Sequence, residues 1–104
     1  MQQENYIQYL GGYSKNNISM QDVNSALGDL QNMDEEHGAF WVSVIKKEEN
    51  VLETHKDLSV IGVFEEDLNR QYKKQCESLY EIERLYSLLL KEDFIQLKEY
   101  LESK

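Results

Sequence analysis

The chain has 104 residues, of which 40% are hydrophobic and 30% charged, so it is long enough for one globular domain and too short for two. Its 20 acidic and 11 basic residues give a formal net charge of −9. Because this charge repels phosphate groups and anionic lipids, nucleic acids and membrane surfaces are poor candidates as partners. A basic protein is a better candidate.

The cysteine content and the N-terminus favour a cytoplasmic location. Cys76 is the only cysteine, so no internal disulfide can form, and a single thiol within an apolar pattern fits a reducing compartment. The first residues lack the basic and apolar segments of a signal peptide. No window approaches the roughly 18 to 20 apolar residues that a membrane-spanning helix needs.

The N-terminal residues predict a strand and a turn. Glu4–Leu10 is rich in β-prone residues and ends at Gly11 and Gly12, whose freedom to adopt positive φ suits a turn. Tyr13–Asn17 is polar, and we expect it to be a loop.

A helix is predicted over residues 19–33. Ser19 is a candidate N-cap, and Asp22, three residues later, provides the acidic half of a capping box. Gly28 interrupts the helix, and we expect it to mark a close approach of the helix to the sheet. The apolar residues of this segment recur at spacings of three and four: Val23, Ala26, Leu27, Leu30 and Met33.

Residues 38–64 predict an antiparallel meander of three strands, over 39–45, 51–54 and 58–64. The first and third strands are apolar at nearly every position, so we expect them to be covered on both faces or to lie centrally in the sheet. For Trp41 the preferred interpretation is a position in the core.

The C-terminal part predicts two helices. A first helix over 66–90 would be roughly 38 Å long at 1.5 Å per residue, and Asp93 is the predicted cap of a short last helix. Tyr80 lies off the apolar stripe, so we expect it to be exposed. The stripe of the long helix comprises Leu68, Tyr72, Cys76, Leu79, Ile82, Tyr86, Leu89 and Leu90.

Together these elements predict a single α+β domain over residues 1–104, with the order β-α-β-β-β-α-α. Residues 1–64 would form an antiparallel sheet and its first helix, and residues 65–104 a long C-terminal helix pair packed against that sheet.

Two polar groups could carry chemistry. Residues 34–37 (Asp-Glu-Glu-His) could contribute metal ligands, but no second ligand group lies at suitable spacing, so an acidic loop is favoured. Glu53 and His55 alternate on a predicted strand, where they would form an acid–base pair or a polar surface pair. No nucleophile motif, glycine-rich loop or cofactor motif accompanies them, so we predict no metal, no cofactor and no enzymatic activity.

Acidic residues are concentrated in two predicted loops and on the middle strand. Such an acidic edge steers a basic partner, although it can equally be charge that keeps a protein soluble. The predicted partner-binding residues are Asp34, Glu35, Glu36, Glu48, Glu49 and Glu53.

The helix over 19–33, followed by GAFWVSV at 38–44, VLE at 51–53 and DLSV at 57–60, resembles immunity proteins of bacterial polymorphic-toxin and contact-dependent inhibition systems. The resemblance covers about the first two thirds of the chain and includes no catalytic motif. It implies a dedicated inhibitor that occludes the active site of a basic toxin domain. The long C-terminal helix departs from the simplest members.

Two other functions stay open at this point. One is a small cytosolic structural or regulatory adaptor that self-associates, or binds a partner, through its long C-terminal helix, so the chain would be a monomer or a homodimer. The other is a small metal-dependent or acid–base enzyme built on His37, Glu53 and His55.

Overall fold

The computed structural model describes residues 4–33, 38–45, 49–64 and 71–102. These residues form an α+β domain, as predicted, in which an antiparallel sheet packs against helices. The predicted metal-ligand segment 34–37 lies outside the described residues.

The described part of the sheet has six strands in the order β2-β1-β3-β4-β5-β6, and every neighbouring pair is antiparallel. Three of them match the predicted meander, and β3 has the predicted bounds. The strands are β1 (Glu4–Tyr9), β2 (Ser14–Asn16), β3 (Ala39–Ile45), β4 (Glu49–His55), β5 (Ser59–Val63) and β6 (Gln71–Gln75).

Three helices complete the described fold, and their N-termini are capped by short polar side chains. The helices are α1 (Met20–Leu30), α2 (Leu79–Leu90) and α3 (Phe94–Glu102). Asp22 accepts a hydrogen bond from the Ser19 amide at 3.0 Å, which confirms the acidic half of the predicted capping box. Ser78 caps α2 by accepting from the Glu81 amide at 3.2 Å. Asp93 precedes α3 and accepts from the Gln96 amide at 3.4 Å, as expected of a cap.

The prediction of a single long helix over 66–90 is wrong. Gln71–Gln75 forms the edge strand β6, and α2 begins only at Leu79. Tyr72 and Cys76 are both buried, and a spacing of four places two residues on one face of a strand as well as on one face of a helix. The pairing of this segment with β5, in which Tyr72 lies opposite Gly62, shows that it is a strand and not a helix.

The polar segment Tyr13–Asn17, predicted as a loop, contains the short strand β2. Its three residues are exposed and pair with β1 at the edge of the sheet. Short polar edge strands are a common protection against edge-to-edge aggregation, which accounts for a strand without apolar residues.

All three helices contact the same face of the sheet. Tyr9 on β1 donates a hydrogen bond to Asp29 of α1 at 2.9 Å. Phe40 on β3 stacks on Tyr86 of α2 with ring centroids 5.5 Å apart. The strand register puts Tyr9 opposite Phe40, and α3 meets this face at Gly62. We call this the core face.

Tyr86 fastens α2 to the centre of the sheet. Its side chain is fully buried, and its hydroxyl lies 2.6 Å from Thr54 Oγ1 and donates to the Leu52 carbonyl at 3.2 Å. Burial raises the pKa of Tyr86 above its ordinary value. The hydroxyl therefore stays protonated and satisfies two polar groups on β4 that would otherwise be costly to bury.

Cys76 is buried and free, at the end of β6 and not within a helix. Burial, with the nearby Glu81 carboxylate, raises the pKa of its thiol to about 12. The thiol is therefore almost fully protonated at neutral pH and a poor nucleophile.

The close approach of a helix to the sheet occurs at Gly62, and the expectation for Gly28 is wrong. A Cβ atom added at Gly62 would lie 2.8 Å from Leu101 Cδ1 on α3 and 3.0 Å from Phe64 Cε2. A Cβ atom at Gly28 would meet nothing within 4 Å, because this residue is exposed on α1. The absence of a side chain at Gly62 therefore allows α3 to pack directly on β5.

We predict opposite effects for alanine at these two glycines. Gly62→Ala should lower the free energy of unfolding by about 1–3 kcal/mol, because the methyl group overpacks the contact with Leu101. Gly28→Ala should raise it by about 0.5–1 kcal/mol, because alanine has the higher helix propensity and no clash results. Urea unfolding followed by circular dichroism measures both variants; stabilisation by Gly62→Ala would contradict the packing described.

Candidate functional site

The face of the sheet opposite the core face carries the candidate site. Successive side chains on a strand point to opposite faces, so the cross-strand register assigns every position to one face or the other. Each of the described helices contacts the sheet at residues of the core face. We call the opposite surface the open face; on β1 and β3–β6 the register assigns it Tyr6, Gln8, Ala39, Trp41, Ser43, Ile45, Glu49, Val51, Glu53, His55, Ser59, Ile61, Val63, Gln71, Lys73 and Gln75.

The middle of the open face is apolar and spans three adjacent strands. Val51 lies between Ser43 and Val63 in the register, and Ile61 is next to Val63 on the same face. Trp41 and Ile45 continue this surface on β3, and all five apolar side chains are partly exposed. We call Trp41, Ile45, Val51, Ile61 and Val63 the apolar centre.

The expectation of a core position for Trp41 is wrong. For β3 and β5 the alternative of a central position is confirmed, because both lie inside the sheet, whereas no described helix covers their second face. In the described structure the buried hydrophobic cluster includes Phe40, Val42 and Val44, whereas Trp41 and Ile45 are only partly buried. Trp41 lies opposite Glu53, a polar neighbour on the open face. A contiguous apolar surface bounded by polar residues is typical of binding sites.

Tyr6 and Glu49 form a fixed polar group at one end of the open face. The Tyr6 hydroxyl donates a hydrogen bond to Glu49 Oε1 at 2.9 Å. Burial and then this carboxylate raise the pKa of Tyr6, whereas the neighbouring Ser43 and Trp41 side chains oppose the shift. Glu49 is thus oriented on the open face, where its carboxylate can accept further hydrogen bonds.

Glu53 and His55 form a second polar pair on the same strand, as the sequence alternation predicts. His55 Nε2 lies 2.6 Å from Glu53 Oε2, and the two side chains are 39% and 37% exposed. The pair becomes an ion pair when the imidazole is protonated. Because both side chains are exposed, Glu53 can exchange His55 for a cation of a partner at little cost in stability.

The open face has two described serines on β3 and β5. Ser59 follows His55 across the β4–β5 turn and donates its hydroxyl to Asp57 Oδ1 at 2.6 Å, whereas the strand register separates Ser43 from the Glu53–His55 pair. Ser43 lies opposite Val51, four residues along β4 from His55. At about 3.4 Å per residue this separation is roughly 14 Å, beyond the reach of a hydrogen bond. Ser43, Glu53 and His55 therefore do not assemble a catalytic triad.

The structure describes two of the six predicted partner-binding residues. Glu49 and Glu53 lie on the open face, four residues apart on β4 and thus roughly 14 Å from each other. Asp34, Glu35, Glu36 and Glu48 lie outside the described residues. The aromatic and apolar members of the open face were not among the predicted residues, because the cross-strand register that groups them is not visible in the sequence.

The described residues provide neither a metal-ion cluster nor a membrane-spanning helix. Within 4–33, 38–45, 49–64 and 71–102, no group of three or more potential ligand side chains is placed to hold a metal ion. No helix in this part of the chain combines the length and apolar character needed to cross a bilayer.

Comparison of the chain with protein-family models, with curated proteins and with solved structures gives no significant match. The resemblance to immunity proteins therefore stays a prediction.

Two valines on β5, Val60 and Val63, distinguish the core face from the open face. Val60 is fully buried, whereas Val63 is partly exposed on the open face. Val60→Thr should lower the free energy of unfolding by about 1–3 kcal/mol, because it replaces a buried methyl group with a hydroxyl. Val63→Thr should change it by no more than about 0.5 kcal/mol. Equal losses in urea unfolding would mean that Val63 is covered as completely as Val60.

Proposed function

We propose that this chain is a non-enzymatic, acidic binding protein of the immunity-protein kind, which neutralises a basic toxin domain by occluding its active site with the open face. The observation that carries the proposal is the apolar centre on a sheet face that the described helices do not contact. The acidic side chains of Glu49 and Glu53 on β4 add the charge that selects a basic partner.

The size of the open face is adequate for protein recognition. Five strands spaced at about 4.8 Å and on average about 20 Å long give a surface of roughly 500 Å². A standard interface buries about 800 Å² on each partner, so a partner that also touched the adjoining loops would reach this size. Trp41 and Tyr6 are of the residue types that most often contribute large binding energies.

The charge of the chain supports a basic partner. A net charge of −9 on 104 residues attracts a cationic protein over a distance and repels nucleic acid. Glu49, oriented by Tyr6, and Glu53, paired with His55, can each accept hydrogen bonds from an arginine or lysine of the partner. Lys73 and His55 lie on the same face, so its charge is mixed. Binding would therefore depend on how the charges of the partner align with individual side chains, and not on net charge alone.

Inhibition by occlusion needs no catalytic group. The only chemistry required is that the open face fits the mouth of the partner's active site more tightly than the substrate does. A cytoplasmic location belongs to the same proposal, and the free, buried thiol of Cys76 suits a reducing compartment.

The adaptor hypothesis is the second candidate, and exposed apolar side chains on the helices favour it. Tyr80 on α2 and Ile95 on α3 are each 76% exposed. Helix α2 has 12 residues, so the surface offered is shorter than a 66–90 helix would provide. A partner that used these residues would bind the helical layer and leave the open face unoccupied.

A matched pair of variants tests which surface binds. The tagged chain is used to isolate its partner from the native cells, and the partner domain is then produced alone and assayed for toxicity. Ile61→Arg, which places a positive charge in the apolar centre, should weaken binding at least about 100-fold by calorimetry. Tyr80→Arg, the same replacement type on α2, should leave affinity within about threefold. Binding by the unaltered chain should weaken at least about tenfold between about 0.05 and about 0.5 M salt.

Growth of cells that express the partner domain measures whether the chain neutralises it. Expression of the partner domain alone should arrest growth, and co-expression of the unaltered chain or of Tyr80→Arg should restore it, whereas Ile61→Arg should not. If Tyr80→Arg abolished binding of the partner and Ile61→Arg retained it, the result would contradict binding through the open face and favour the adaptor hypothesis. A non-toxic or acidic partner would contradict inhibition of a basic toxin.

A further inference from the structure

A cleft lies between the β1–β2 hairpin and α1, at the edge of the core layer. It has a volume of about 410 Å³ and is lined by Ile7, Tyr9, Tyr13, Asp22, Ser25 and Asp29. This volume is within the range of small-ligand sites and is large enough for one long side chain of a partner. Ile7 is buried and provides the apolar base.

The hairpin turn brings two tyrosine rings together on one wall of the cleft. Gly12 has φ +117°, a conformation that favours glycine, and its amide donates to the Tyr9 carbonyl at 3.0 Å. The Tyr9 amide in turn donates to the Tyr13 carbonyl at 2.7 Å. The rings of Tyr9 and Tyr13 meet edge to face with centroids 4.8 Å apart, and Tyr13 is 53% exposed. One aromatic face is therefore accessible to a ligand.

Helix α1 supplies the opposite wall, which is negatively charged. The Tyr9 hydroxyl donates to Asp29 Oδ2 at 2.9 Å. Burial raises the pKa of Tyr9, and the Asp29 carboxylate raises it further, with a smaller contribution from Asp22. The phenol therefore experiences the negative potential of both carboxylates.

The two carboxylates differ in what they already bind. Lys15 lies 2.8 Å from Asp22 Oδ1, and this contact, followed by the Ser19 amide, holds the pKa of Asp22 below its usual range. Within the described part of the chain, Asp29 has no basic side chain in ion-pair contact, and its described hydrogen bond uses only Oδ2. Oδ1 of Asp29 is thus available to a ligand, and the cleft carries one unneutralised negative charge.

We propose that this cleft binds an arginine side chain of a partner protein, with the guanidinium group against the Tyr13 ring and hydrogen-bonded to Asp29. A planar guanidinium stacks on an aromatic face and offers several parallel donors to a carboxylate, whereas an ammonium group is a compact and strongly hydrated charge. The aliphatic part of arginine would lie along Ile7 and Tyr9. Asp22, held by Lys15, would add charge without a direct contact.

This site is separate from the open face. The register puts Tyr9 and Ile7 on the core face with Phe40 and Val42, and the cleft opens beside α1. An arginine could occupy it whether or not a partner covers the open face. The proposal does not depend on the proposed function, and its failure would leave that function untouched.

The test is an amide-resolved NMR titration of the unaltered chain with N-acetyl-arginine-N-methylamide, which has a cationic side chain and no other charge. We expect saturable shifts at Tyr9, Tyr13 and Asp29, with a dissociation constant on the order of millimolar. The citrulline analogue, which has the same shape without the charge, should bind at least about tenfold more weakly. The lysine analogue should bind at least about threefold more weakly than arginine.

Three variants assign the contacts. Asp29→Asn keeps an acceptor for the Tyr9 hydroxyl but removes the charge, and it should weaken binding of the arginine probe at least about fivefold. Tyr13→Leu removes the exposed ring and should weaken it about threefold or more. Tyr80→Leu, which changes an exposed tyrosine on α2, is the control and should bind the probe as the unaltered chain does.

Each opposite result overturns the proposal. Equal binding of the citrulline analogue would show that charge has no part, and equal binding of the lysine analogue would remove the assignment to guanidinium. Retained affinity in Asp29→Asn or Tyr13→Leu would place the probe elsewhere, as would shifts that do not saturate. Tyr13 and Asp29 are exposed, so folded spectra are expected from both variants, and the same titration verifies them.

Discussion

The architecture depends on a constraint of one-sided packing. In the described structure, the helices contact a single face of the sheet, and the pleat of each strand then assigns alternate side chains to the core or to the open face. Two contacts maintain this arrangement, one between α2 and β4 and the other between α3 and β5. Tyr86 satisfies polar groups of Thr54 and Leu52 beneath α2, and the missing side chain of Gly62 lets α3 approach β5.

The same constraint produces the candidate function. A layer that buries Phe40, Val42 and Val44 leaves Trp41, Ser43 and Ile45 on the other side. The open face gains aromatic and aliphatic side chains in its middle and carboxylates towards its ends, which is the usual composition of a recognition surface. The edge of the core layer offers a smaller and chemically different feature, where the β1–β2 hairpin meets α1 and two tyrosines face two aspartates. Both surfaces carry carboxylates, although they lie on different sides of the sheet.

Local signals in the sequence predicted much of the fold. Ser19 and Asp22 cap α1, Ala39–Ile45 is β3, and Asp93 precedes α3, because capping and alternation act over a few residues. The strand β6 was missed because Tyr72 and Cys76 are four residues apart, a spacing that fits one face of a helix and one face of a strand alike. Only the pairing of Gly62 with Tyr72, a contact distant in sequence, distinguishes them. The close approach of a helix to the sheet was predicted at Gly28 and occurs at Gly62. It is a tertiary contact between α3 and β5, which no local pattern around either glycine reveals.

The candidate site was less accessible to sequence analysis than the fold. Glu49 and Glu53 were predicted from charge, and both lie on the open face. The apolar centre was not predicted, because strands that are apolar on both faces look the same whether two layers cover them or one. The cleft was not predicted because its tyrosines and aspartates come from two elements whose packing brings them together, and no spacing along the chain relates Tyr13 to Asp29.

Methyl-resolved NMR in the presence of a soluble nitroxide tests the central claim, that one face of the sheet is open, most directly. We expect strong relaxation of the methyl groups of Ile45, Val51, Ile61 and Val63 and little effect on those of Val42, Leu52 and Val60, which are fully buried. Equal protection of both groups in dilute monomer would contradict the account, because it would show that another part of the chain covers the open face.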